Sequence, residues 1–106
     1  MEKYNYLLVS VLIPVYNGAK TIERAIKSLQ LQSYPNWKCI IVNDGSTDET
    51  LRIIQNIKDS RFKIVNLPKN SGRGAARQIA LDNSEGDLIA FLDADDFYHQ
   101  DKLLKQ

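Results

Sequence analysis

The 106-residue chain predicts an α/β fold: a mainly parallel sheet with helices on both faces. Three observations predict it. Short apolar runs rich in β-branched residues alternate with segments whose apolar residues recur at helical spacing. The runs are almost uninterrupted by polar residues, as in strands buried on both faces. Each run also ends in a cluster of Asn, Asp or Gly, the residues that turn a chain.

The elements follow in order. "LLVSVLIPV" (7–15) reads as a buried strand with Pro14 near its end, and is about half the length a membrane span needs. From Ala19 to Gln32, Ile22, Ala25, Ile26 and Leu29 keep helical spacing. "WKCIIVND" (37–44) is a second strand. "STDE" (46–49) matches a capping box, in which Ser46 would accept from the Glu49 amide and Glu49 would reach back to Ser46. The helix after it carries Leu51, Ile54 and Ile57 on one side. "RFKIVNL" (61–67) is a third strand that Pro68 stops. "GRGAARQIALDN" (72–83) is a helix with a face of Ala75, Ala76, Ile79 and Ala80. "DLIAFL" (87–92) is a fourth strand, and "DKLLKQ" (101–106) begins another helix.

Hydrophobic residues make up 43% and charged residues 25%, a soluble globular balance. The net charge of +1, with no basic block, disfavours nucleic acid as a partner. One cysteine, Cys39, excludes an intrachain disulfide and fits a reducing compartment. It lies in an apolar strand and reads as a core thiol. Trp37 reads as packing and His99, the only histidine, as a surface residue.

In a doubly wound sheet, ligands bind beyond the carboxyl ends of the strands, where strand order reverses. Tyr16 and Asn17 follow the first strand, Asp44 and Gly45 the second, Asn70 and Gly72 the third, and Asp93, Asp95 and Asp96 the fourth. Four separate turns should therefore meet along one edge. The acidic run narrows the ligand. Carboxylates this close repel one another unless water or a cation offsets the charge. Oxygen donors on Asp93 and Asp95 suit Mg²⁺ or Mn²⁺ shared with a diphosphate, whereas no His and Cys cluster offers a zinc site. The plain alternatives are a solvated turn or a cap for the helix at Asp101. Tyr16-Asn17-Gly18 and Asp44-Gly45 are also ordinary turn sequences.

"VSVLIPVYNG", "IIVNDGSTDET", "NSGRGAARQIAL" and "GDLIAFLDADD" together resemble the nucleotide-binding half of a family 2 glycosyltransferase with the GT-A fold. The likeness runs from about Val9 to Leu104. It implies that Pro14, Val15 and Tyr16 line a nucleotide pocket, with Tyr16 beside the base. It implies that Asp44 accepts a hydrogen bond from the base, such as a uracil N–H. Gly72 would admit the ligand closely, and Arg77 would lie near the diphosphate, with Arg73 as the alternative. Asp93 would contact ribose or phosphate, Asp95 would bind the metal, and Asp96 would face sugar or water. Gln78 and Ala80 stand where the family often has Asn and Gly.

The resemblance further implies metal-dependent transfer of a sugar from a nucleoside diphosphate sugar, UDP-sugar above all, to an acceptor hydroxyl with inversion. The acceptor would be a saccharide, a lipid-linked group or a protein. The family's general base lies well beyond the acidic motif, so none is assigned within these 106 residues. The chain is expected to be a single truncated donor-binding domain without the acceptor half. Such a domain should be a poor catalyst alone, with an exposed sheet edge that supports self-association. A cytoplasmic location, peripheral at the inner membrane surface for a longer chain, is expected. Rival readings are a haloacid dehalogenase-like phosphatase using Asp93 as nucleophile and a non-catalytic nucleotide-sugar-binding module. A calcium loop starting at Asp93 fails at Tyr98 and Leu104, and no G-x-G-x-x-G supports dinucleotide binding.

Overall fold

The structure is a computed structural model that describes residues 7–95 and 102–103. Its elements are β1 (Val9–Val15), α1 (Ile22–Gln30), β2 (Trp37–Asp44), α2 (Thr50–Gln55), β3 (Phe62–Leu67), α3 (Arg73–Asp82) and β4 (Leu88–Phe91). Of the helix expected over 101–106, only Lys102 and Leu103 are described, and they form a turn. Asp96, His99 and Asp101 lie outside the described residues.

All three strand pairs are parallel, in the order β3-β2-β1-β4. Sheet growth runs outward from β1 to β3, then reverses, so that β4 pairs on the other side of β1. Right-handed crossovers that reverse direction must change face. The packing obeys this. On one face, Val9, Val11, Ile13 and Val15 of β1 pack with Ile22, Ala25, Ile26 and Leu29 of α1 and Ile54 of α2. On the other, Leu12 packs with Ile40 and Val42 of β2 and with Ala76 and Ala80 of α3. The period-2 alternation of β1 thus feeds two cores.

Local expectations needed three corrections. The first helix begins at Ile22 rather than Ala19, because residues 17–19 bond to the loop after β2. The capping box does not form. Glu49 itself is the N-cap of α2 and makes no side-chain cap bond; it pairs instead with Arg52. Ala75 is exposed, since at 100° per residue only Ala76, Ile79 and Ala80 share the inner face.

At the far end of the sheet, Arg61 lies 3.8 Å over the Trp37 ring and grips Asp59 with two bonds of 3.0 and 2.8 Å. The Arg61 side-chain hydrogen bonds lower the Asp59 pKa to about 2. A depressed carboxylate stabilises the fold above its unfolded value near ~3.9, and this contribution is lost as pH falls toward the folded value. Asp59→Asn is expected to lose about 1 kcal/mol at neutral pH, a value reduced for solvent screening. It should also flatten the loss of stability between about pH 4 and pH 2. Urea denaturation at pH 7 and pH 3 measures both.

β4 forms an edge of the sheet among the described residues. Its Leu88, Ile89 and Phe91 are 40%, 37% and 41% exposed, an apolar edge of the kind that invites pairing.

Candidate functional site

The loops at the carboxyl ends of the four strands enclose a cavity of about 460 Å³. It lies where the sheet order reverses, between β1 and β4. β1 and its loop supply Pro14, Val15, Tyr16, Asn17 and Gly18, and the residue before α1 supplies Thr21. β2 supplies Asp44. The loop after β3 and the first turn of α3 supply Asn70, Gly72, Arg73 and Ala76, and the loop after β4 supplies Asp93, Ala94 and Asp95.

Of the residues that the resemblance assigns to the site, Pro14, Val15, Tyr16, Asp44, Gly72, Asp93 and Asp95 meet at one cavity. Arg77 does not line it. On α3 the first-turn residues Arg73 and Ala76 reach the cavity, and Arg77, one turn after Arg73, meets β4 and the loop after it. Its guanidinium stands 3.5 Å from the Asp93 carboxylate and 5.1 Å over the Phe91 ring. Arg73 is the cation on the wall. Thr21, Ala76 and Ala94 were not singled out from sequence; the i, i+3 relation of Arg73 to Ala76 was the available signal for one of them.

Two loops are latched together beside the cavity. Asn17, at φ +52°, accepts at its side-chain oxygen from the Thr47 and Asp48 amides, at 2.7 and 3.3 Å. Its own amide donates to Ser46 Oγ, and the Gly18 amide to Thr50 Oγ1. Asp48 accepts from the Ala19 amide and from Thr50. Burial pushes the Asp48 carboxyl up, but these hydrogen bonds outweigh it and its pKa is lowered. The "GSTDET" segment therefore braces the loop after β1 that carries Tyr16, and its Asp48 also takes the first amide of α2.

Asp44 is buried at the end of β2. It accepts from the Ser71 amide and hydroxyl and from the Gly72 amide. Gly72, at φ +96°, needs glycine for its backbone angle; a Cβ there would meet nothing within 4 Å, so space on that side is open. Tyr16, 48% exposed, offers a ring at the mouth. Arg24 of α1 donates to the Asp95 carbonyl at 2.9 Å, which fixes the acidic loop from the α1 side.

The donor set bears on a metal. Among the described residues no three His, Cys, Asp or Glu side chains gather around one point. Asp93 and Asp95 are the cavity's two exposed carboxylates. Two carboxylates suit a hard divalent ion whose other positions go to phosphate and water, and the residues present fit that group.

A parallel sheet whose loops gather into one cavity at its switch point is an α/β architecture that takes ligands at that edge. The chain belongs to glycosyl transferase family 2, whose model matches residues 10–106. It is 47% identical to an uncharacterized glycosyltransferase of Haemophilus influenzae, covering 96% of this chain and 42% of that protein. It is 38% identical to the Escherichia coli UDP-Glc:alpha-D-GlcNAc-diphosphoundecaprenol beta-1,3-glucosyltransferase WfgD, covering 93% of this chain and 39% of that one. Among solved structures, S. aureus TarS 1–349 in complex with UDP superposes with a TM-score of 0.88 at 34% identity, over 93% of this chain and 30% of that one. The Pyrobaculum calidifontis mannosyltransferase PcManGT, in complex with GDP-Man and Mn²⁺, superposes with a TM-score of 0.79 at 26% identity, over 85% and 28%. The fold is GT-A, and the family is that of glycosyltransferases rather than of phosphatases.

Proposed function

We propose that this chain is the donor-binding part of an inverting, metal-dependent glycosyltransferase that uses a UDP-sugar. The observation that carries the reading is the gathering of Tyr16, Asp44, Gly72, Asp93 and Asp95 around one cavity at the switch point. The UDP and UDP-GlcNAc complexes of TarS support the choice of nucleotide. The chain covers less than half of those relatives, so the acceptor is assigned by likeness alone. The WfgD and WfaP relatives, which act on a diphosphoundecaprenol-linked sugar, favour a lipid-linked acceptor.

Tyr16 covers the base at the cavity mouth, and Asp44 takes its N–H. Arg73 faces the diphosphate from the wall, while Arg77 acts on it through Asp93. Asp95, with Asp93 beside it, would hold Mn²⁺ or Mg²⁺, which when bound neutralises charge growing on the departing diphosphate. Positive charge fixed beside the leaving group before reaction lowers the barrier most. The acceptor hydroxyl must give up its proton to a general base, a role assigned to none of the described residues.

Calorimetric titration of UDP and GDP, with Mn²⁺ and with a chelator, tests this. UDP is expected to bind more tightly with Mn²⁺ and more tightly than GDP. Absence of UDP binding under either condition would overturn the reading, and equal binding with and without metal would remove its metal.

A further inference from the structure

The buried carboxylate of Asp44 is nearly saturated by its own protein. Oδ1 accepts from the Ser71 amide at 2.8 Å and from Ser71 Oγ at 2.7 Å. Oδ2 accepts from the Gly72 amide at 3.0 Å. That last bond is shared, because the same N–H also points at Asn70 Oδ1, 2.8 Å away. A carboxylate oxygen has two acceptor positions. Oδ1 is therefore filled, Oδ2 keeps one position, and the two bonds from Ser71 dominate the orientation of the group. Ser71 lies on an exposed loop and is not among the residues lining the cavity, whereas Asp44 is.

We propose that Ser71 is a positioning residue for base recognition: its hydroxyl fills Oδ1, which fixes the carboxylate plane and directs the remaining Oδ2 acceptor to the ligand's imide N–H. This rests on the UDP-sugar reading above. The argument turns on a difference between acceptors. Without the hydroxyl the carboxylate is held by two amides alone, one of them shared with Asn70, so it keeps its negative charge but aims its free Oδ2 lone pair less firmly. Loss of the lock should therefore weaken discrimination between ligands with and without that N–H more than it weakens binding as such. The hydroxyl can be removed without disturbing the two backbone donors, so the loop keeps its other ties.

The test compares UDP with N3-methyl-UDP, in which a methyl group replaces the imide hydrogen, by calorimetry in Mn²⁺ buffer. The wild-type chain should prefer UDP by roughly tenfold or more, the worth of one buried hydrogen bond to a charged acceptor. In Ser71→Ala the preference should fall by about three- to tenfold, within the same hydrogen-bond range. Ser71→Thr keeps the hydroxyl and should restore the preference. A merely structural role for Ser71 would weaken both ligands equally and leave their ratio untouched; that result overturns the inference, as does an unchanged Ser71→Ala. If the wild type binds UDP but does not distinguish the methylated form, the imide contact and this inference fail while the donor-binding role stands. If it binds neither, the donor-binding role itself fails.

Discussion

Replacing Gly45 by alanine is expected to cost about 3 kcal/mol of stability or more, and to take nucleotide binding with it. Two independent penalties meet at this residue. Its φ is +70°, a left-handed angle that an L side chain adopts only with strain. A Cβ there would also stand 2.3 Å from the Lys69 carbonyl carbon and 2.4 Å from the Asn70 nitrogen. Both are backbone atoms, so no rotamer change relieves the overlap. The 69–70 peptide must move, and it belongs to the loop that Asp44 ties down one residue further on. Displacing it disturbs Asn70, Gly72 and the first turn of α3, which form one wall of the cavity. Gly74→Ala is the control, because a Cβ there meets nothing within 4 Å. Inside α3 that change should be neutral or stabilising by up to about 1 kcal/mol. Urea denaturation of both variants measures the difference. A Gly45→Ala chain within about 0.5 kcal/mol of the wild type, the range of an ordinary surface substitution, would refute the argument.

The sheet was legible in the sequence because its signal is local. Four apolar runs, each closed by turn residues, mark β1 to β4 to within a residue or two at each end. The reversal of strand order after β3 left no such mark, yet the expected crossovers require some reversal for helices to cover both faces. The convergence of turns on one cavity followed from the fold class alone. What the sequence hid were bonds between distant loops. "STDE" has the spacing of a capping box, but Ser46 takes its donor from Asn17, 29 residues earlier, and that competition has no local signature. The tie between Asp44 and Ser71 is hidden for the same reason: the two are 27 residues apart and share no period. The motif did not say which of Arg77 and its alternative Arg73 reaches the cavity, because residues four apart share a helix face and differ by one turn along the axis. One helical turn of rise separates Arg73, on the wall of the cavity, from Arg77, beside Asp93.

Asp95→Ala is expected to weaken UDP binding in Mn²⁺ by roughly 100-fold, the upper range for loss of metal-site ligation, while leaving binding in a chelator unchanged. Asp95 is exposed, and Arg24 holds the loop through the Asp95 carbonyl rather than its side chain. The backbone path should therefore survive the substitution, and thermal stability should not change. Asp93→Ala separates the two carboxylates. Asp93 is already partnered by Arg77 at 3.5 Å, with the Asp93 side chain 52% exposed. Its removal takes away one negative charge but frees a guanidinium to meet the diphosphate, and the two effects oppose each other. Asp93→Ala should accordingly lose only about tenfold with Mn²⁺, and the freed Arg77 should make its residual binding salt-sensitive. Adding Arg77→Ala to that variant should then remove the residual affinity. Calorimetry of the three variants at low and high salt measures these outcomes. If Asp95→Ala keeps wild-type UDP affinity in Mn²⁺, the acidic loop does not hold a cation and the charge-neutralising step must come from Arg73 and Arg77 alone.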